Sequence, residues 1–190
     1  MALPAPTIYD PAKHKPLIHQ FASIHAACVL RDGTLATFLP ARKGAEMTMD
    51  HTKLVEYWLS RSQQVEEGSR EIILQYADNN EAGVVGVVSL SMPPSETGPF
   101  RSLVEKLLVS PDHRYKGIAR RLMEKLEEVA LDKHRDLVML DTTIGSGAEH
   151  VYRKLGYNSL GVVPKYGIHP LTREMVDEEF FWKDLRSLEA

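Results

Sequence analysis

Apolar residues recur along this chain at two spacings, and blocks of the two follow one another in a regular order. Over residues 17–30, Leu17, Phe21, Ile24 and Cys28 share the spacing of one helix face, and Asp32 and Gly33 end the run. Leu54, Val55, Trp58, Leu59 and Val65 make a second helical stripe, with Thr48 or Asp50 as its cap and Gly68 at its end. The pattern then tightens. Ile72, Ile73, Leu74 and Tyr76, a turn at Asp78, Asn79 and Asn80, and Val84, Val85, Val87, Val88 and Leu90 predict a β-hairpin over residues 70–77 and 83–92. Residues 93–99 read as loop. A strand over 103–109 leads into a helix over 117–132 that buries Ile118, Leu122, Leu126 and Val129. A strand follows at 137–140, and then a short helix marked by Ala148, Val151, Tyr152 and Leu155 and ended by Gly156. Two final strands are predicted at 157–163 and 178–183, with a loop around 166–173. The order helix, helix, three strands, helix, strand, helix, two strands predicts an α/β fold, a mixed sheet covered by helices on both faces.

Residues 1–15 carry Pro4, Pro6 and Pro11, with Pro16 next, and are expected to form an extended arm, with a short strand at Thr7, Ile8 and Tyr9. Residues 16–190 then read as a single domain, since no repeat, low-complexity tract or linker interrupts them. Composition narrows the function classes. Hydrophobic residues are 43% and charged residues 26% of the 190, and the net charge is −3, so no basic field points to nucleic acid. Cys28 is the single cysteine, which rules out an intrachain disulfide and points to a reducing compartment, the cytoplasm, without excluding the nucleus. No apolar run approaches the length of a membrane span, and the N-terminal residues lack the pattern of a signal peptide, so no membrane partner is expected. The eight histidines form no metal-ligand spacing.

The chemistry gathers where the strand over 103–109 turns into the helix at Gly117. Leu107, Leu108 and Val109 suit a buried strand; Pro111 and Asp112 stop it; Arg114 and Lys116 precede the helix. The first N–H groups of a helix lack internal partners and carry the positive end of its dipole, so the turn suits an anion, most naturally a pyrophosphate. On spacing alone an ordinary strand-to-helix turn with solvated basic residues is the favoured reading.

The wider pattern resembles a known family. Arg114, Gly117 and Ala119 match the Arg/Gln-x-x-Gly-x-Gly/Ala signature of the GNAT N-acetyltransferases. Ala148, Tyr152, Leu155, Gly156 and Tyr157 match that family's Ala-x-x-x-Tyr-x-x-Leu-Gly-Phe/Tyr block. The likeness is greatest to the tabtoxin-resistance type of small-molecule acetyltransferase, through Glu105, Lys106 and Leu107, the step Leu140, Asp141, Thr142, and the run Val163, Pro164, Lys165, Tyr166. It covers the last two thirds of the chain best. The resemblance implies the GNAT fold: a mixed, mostly antiparallel sheet of six or seven strands flanked by about four helices. It implies acetyl-CoA as cofactor, its phosphates held by the loop of Arg114, Tyr115, Lys116, Gly117, Ile118, Ala119 and Arg120. The pantetheine arm is expected along the backbone of Leu107, Leu108 and Val109, whose N–H groups also polarise the thioester.

Residue roles follow on the same footing. Tyr152 shares a core stripe with Ala148, Val151 and Leu155; the resemblance makes it the acid that meets the departing sulfur, and a contact of the cofactor. Many family members carry a glutamate base where this chain has Leu103. Glu105 lies on the same strand face and is the favoured substitute, with Asp141 second. The family's asparagine on the pantetheine arm is replaced by Gly145, with Ser146 as an alternative contact. Phe38, Glu105, Asp141 and Tyr166 are the candidate acceptor contacts. The expected activity is acetyl transfer to a primary amine of a small molecule, amino acid-like, toxin or antibiotic, in a ternary complex and with a detoxification role, by a monomer or homodimer. The competing readings are a protein or peptide N-acetyltransferase and a non-catalytic acyl-CoA-binding module.

Overall fold

The computed structural model describes residues 3–35, 37–81 and 83–188. Its strands are β1 (Thr7–Ile8), β2 (Ala41–Lys43), β3 (Glu46–Thr48), β4 (Arg70–Tyr76), β5 (Val84–Ser91), β6 (Arg101–Val109), β7 (Leu137–Thr143), β8 (Asn158–Ile168) and β9 (Met175–Asp184). Its helices are α1 (Pro11–His14), α2 (Ile18–Asp32), α3 (His51–Glu66), α4 (Ile118–Asp132) and α5 (Ala148–Lys154). Seven strands form one sheet in the order β1-β4-β5-β6-β7-β9-β8, and β2 and β3 form a separate hairpin. Neighbours in the large sheet run antiparallel except β6 and β7.

The faces predicted for α2 and α4 are buried, while on α3 Leu54 and Trp58 are buried, Leu59 is exposed and Tyr57, not predicted, faces the core. On one side of the sheet, α2 and α3 bring Phe21, Cys28, Leu54 and Trp58 against Ile72, Leu74 and Val87. On the other, α4 brings Ile118, Leu122, Leu126 and Val129 against Ile73, Val88, Val138 and Leu140, joined by Tyr152, Tyr157 and Phe181. The central strands β4 and β5 are covered on both faces, which is why they read as continuous apolar runs rather than as alternation. Asp50 caps α3, its carboxylate accepting from the Lys53 N–H at 3.2 Å, whereas Thr48 lies in β3.

Two expectations are corrected and one element was not foreseen. The arm over residues 1–15 is not extended throughout: Asp10 accepts from the Ala12 N–H and starts the one-turn helix α1, and Tyr9 is buried with its hydroxyl on Ser62. The last hairpin is longer than its apolar core, because β8 continues through Tyr166 to Ile168, residues that the sequence placed in a loop. The β2–β3 hairpin carried no signal, since its residues are mostly exposed and polar and so show no alternation.

β6 is the strand that shapes the site. It pairs with β5 along its length, but between the Ser89–Glu105 and Val87–Leu108 pairs one residue of β5 faces two of β6, a β-bulge. Lys106 occupies it with φ of 54°, in the left-handed region that a non-glycine residue seldom adopts. β6 pairs with β7 only through Arg101, Ser102 and Leu103; beyond them β6 follows β5 and β7 follows β9, and a wedge opens between the two parallel strands.

A candidate acyl-transfer site at the split between β6 and β7

The open end of the wedge is closed by the start of α4. Gly117 caps the helix in the left-handed conformation, φ 76°, with no side chain on the first N–H groups, and Tyr115, Lys116 and Gly117 are exposed. The loop is fixed by α2 beneath it. Arg31 pairs with Asp112 at 2.7 Å, Asp32 pairs with Arg114, and the Cys28 thiol donates to the Val109 carbonyl at 3.4 Å. Arg114 is therefore engaged with a carboxylate, and Lys116 and the backbone are the groups the loop leaves open. Burial, only partly offset by Arg114, pushes the Cys28 thiol up to about 11, so it stays protonated.

The geometry fits a long phosphorylated ligand. Free helix N–H groups lie at one end, and along the wedge runs a strand edge, from Val104 to Val109, that has lost its β7 partner. Leu107 and Val109 pack their side chains into the core, so what they offer the wedge is backbone. Ser146 is turned elsewhere: its hydroxyl donates to Glu149 at 3.2 Å and lies 3.3 Å from the Thr142 hydroxyl.

The carboxylates sort differently from the sequence reading. Glu105 lies on the α3 side of the sheet and accepts from Arg70 at 2.9 Å. Arg70 is itself buried and also donates to Ser89 and to Gln64, so Glu105 is the counter-charge of a buried guanidinium. Asp141 lies on β7 beside the wedge. Register places it diagonally across from Glu178 on β9, on the same face, since Asp141 faces Phe180 and Thr143 faces Glu178. The two carboxyls hydrogen-bond each other. Burial first, then Asp141, push the Glu178 carboxyl up to about 8, against a smaller lowering by the Thr143 hydroxyl and by Lys106. Near neutral pH Glu178 therefore retains its proton.

Tyr152 is buried under the wedge, its ring 5.9 Å from those of Tyr157 and Phe181. Burial holds its hydroxyl far above the usual phenol range, and the charge of Asp141 adds to this. Tyr152 packs with Leu140 and Phe181 on the α4 side of the sheet, and Asp141 lies on the other face of β7, near enough for its charge to act on the tyrosine hydroxyl.

Over that face runs an arch that sequence spacing did not reveal. The segment after α2 reaches the β8–β9 tip at three places: a Cβ on Gly33 would lie 2.2 Å from the His169 ring, a Cβ on Gly167 would lie 2.7 Å from Leu35, and Arg173 donates to the Pro40 carbonyl at 2.5 Å. Tyr166 stands edge-on to Phe180, centroids 5.1 Å apart, on the floor of this face. Phe38 stands edge-on to Tyr57 of α3 and packs with the helices.

Sequence reasoning missed Glu178, Lys106 and the arch. A signal for the first existed: Glu178 and Glu179 are poor strand formers inside an otherwise strand-like run, and a carboxyl that a sheet buries is a candidate for proton transfer. Among the described residues, no group of three or more His, Cys, Asp or Glu could hold a metal, and no helix is long and apolar enough to cross a membrane.

Comparisons with known proteins agree with this geometry. The family model described as acetyltransferase (GNAT) family matches residues 35–157. An N-acetylaspartate synthetase of Xenopus tropicalis is 31% identical over 104 residues, which cover 53% of this chain but only 36% of that protein. A putative acetyltransferase of Salmonella typhimurium, solved with its cofactor acetyl-CoA, superposes with a TM-score of 0.71 at 18% identity over 97% of this chain and 95% of that one. A ribosomal-protein-alanine N-acetyltransferase of Brucella melitensis gives 0.70 at 19% identity, over 96% and 100%.

Proposed function

The chain belongs to the GNAT acetyltransferase family, enzymes that use acetyl-CoA, and on that premise we propose that it acetylates the primary amine of a small, amino acid-like molecule. A role in disarming a toxin or antibiotic is one use of such an activity. The observation that carries the reading is the split between β6 and β7, with the open N–H groups of α4 at one end and the carboxyls of Asp141 and Glu178 on the neighbouring strands.

Each group then has one task. The first N–H groups of α4, with Lys116, hold the pyrophosphate, and the freed edge of β6 holds the pantetheine arm. Bound there, acetyl-CoA supplies an acetyl thioester. The Asp141–Glu178 pair accepts the proton that an incoming ammonium must lose before its nitrogen can form the amide bond. A carboxyl raised to about 8 is well matched to that transfer near neutral pH. Tyr152 would hold its hydroxyl proton for the departing thiolate, and the second proton of the amine, released as the amide forms, would make good that loss. The net change is amine plus thioester to amide plus thiol. Glu105 has a structural task and is displaced as the favoured base.

The contacts between the segment after α2 and the β8–β9 tip favour a small acceptor, because they tie two segments together beside the face that carries Asp141 and Glu178. The test is thiol release from acetyl-CoA with panels of amino acids, polyamines and peptides. Release with small amines is the expected result. Release with peptides alone would replace the acceptor class, and coenzyme A binding without release by any amine would leave an acyl-CoA-binding module.

A further inference from the structure

On the face of the sheet that carries Asp141, apolar side chains lie side by side without forming part of a core. Register sets them next to the carboxyls. Leu103, Met139 and Trp182 face one another across β6, β7 and β9, and two residues further along β7 the facing pair is Asp141 and Phe180. Tyr166 of β8 stands edge-on to Phe180, and Val163 faces Glu178. Among the described residues, the core under α2 and α3 and the core under α4 include none of these apolar side chains. Tyr166 is 55% exposed, Leu103 and Val163 are exposed as well, and Met139, Phe180 and Trp182 are partly exposed. A contiguous apolar surface rimmed by polar groups marks a place where something binds.

Asp141 decides what can cover this face, because it is exposed and stands among the apolar side chains. A second copy of the chain laid over it would have to bury that carboxylate beside a cation of its own. The edge strand is also blunted against pairing with another chain, by Pro164 and by register shifts between Ser159 and Gly161 and between Val163 and Gly167. A small amine brings the matching ammonium with it. Directly opposed residues of an antiparallel pair hold their Cβ atoms about 4.5–5.5 Å apart, so a nitrogen at Asp141 and a ring on Phe180 fit within one compact molecule. We propose that the acceptor carries an aromatic ring about two carbons from its amine, and that Phe180 and Tyr166 receive this ring. The proposal rests on the acetyltransferase reading and narrows it to aromatic amino acids and amines of the same shape. Phe180 and Tyr166 already meet edge to face, and a third ring extends that packing. Burial of such a ring contributes roughly 10- to 100-fold in kcat/KM.

The experiment measures thiol release from acetyl-CoA with paired acceptors: phenylalanine against alanine, and phenethylamine against ethylamine. Wild type is expected to favour the ring-bearing member of each pair by about tenfold or more in kcat/KM. In Phe180→Ala and in Tyr166→Ala the preference should fall towards one through a rise in the KM of the ring-bearing acceptor. Tyr166→Phe, which keeps the ring, should retain it. The difference in basicity within a pair is the same for every variant, and a general loss of folding slows both members alike, so the change in ratio reports the ring contact. A wild-type ratio near one, or a ratio that survives either alanine variant, overturns the proposal. Should Phe180→Ala no longer bind coenzyme A by calorimetry, the wild-type ratio and Tyr166→Ala, at an exposed position, decide the matter alone. A wild-type dimer in sedimentation that Tyr166→Ala dissociates would assign the face to a second copy and overturn the proposal too. If no amine of any class is acetylated although coenzyme A binds, the acetyltransferase reading fails and takes this proposal with it; if amines react without preference for a ring, only this proposal fails.

Discussion

At the scale of single residues, the site is a division of labour among carboxyls that sequence spacing cannot see. Glu105, Asp141 and Glu178 share one face of the sheet. What separates them is company: a buried guanidinium for the first, each other for the other two. Glu178→Gln and Asp141→Asn are accordingly expected to remove the acidic limb of the kcat/KM profile, which in wild type should rise through pH about 8 as the Glu178 proton leaves. The sign for stability is opposite. The folded state holds the Glu178 proton more tightly than the unfolded chain, so this contribution is full below the ordinary carboxyl range and is lost as the pH climbs towards 8. At pH 9 Glu178→Gln should melt at least as high as wild type, and a lower Tm at that pH would show that the buried anion is stabilised after all. Glu105→Gln should act the other way round, lowering Tm by leaving Arg70 short of its counter-charge while leaving the shape of the pH profile intact. Tyr152→Phe removes only a hydroxyl from a packed ring. Turnover is expected to fall by about 10²–10⁴ with Tm and coenzyme A affinity held, and unchanged turnover would return Tyr152 to a packing role.

At the scale of elements, a strand and a helix end make the site, and each depends on one residue whose backbone leaves the regular pattern. Gly117 starts α4 at φ 76°, where a side chain is strained and would stand over the N–H groups. Gly117→Glu adds bulk, strain and a like charge at the phosphate position; calorimetry with coenzyme A should show binding lost, and an unaltered affinity would move the phosphate site elsewhere. The motif around Gly117 was legible because helix starts and glycine turns are local. The bulge at Lys106 was not, because it exists only in register with β5: one residue of Val88's strand faces both Lys106 and Leu107, and nothing in the run from Leu103 to Val109 announces it.

At the scale of the whole molecule, distant segments decide what reaches the wedge. The arch joins the chain after α2 to the β8–β9 tip, so Gly167→Val, which pushes against Leu35, should raise the KM of the acceptor several-fold while the KM of acetyl-CoA holds. Equal changes in both constants would point to a general loosening instead. The sequence by itself determined the main helices and strands of the large sheet and their order, the faces of α2 and α4 that are buried, and the glycine turn before α4. All of these follow from periodicity, caps and turn residues within a few positions of one another. It also supported the family through two motifs, each of them contiguous. Only the tertiary structure decided that Glu105 belongs to Arg70 and that Asp141 meets Glu178. Those pairings join residues 35 and 37 positions apart, and a carboxylate's proton affinity is set by what surrounds it in space: burial, a neighbouring charge and a shared hydrogen bond.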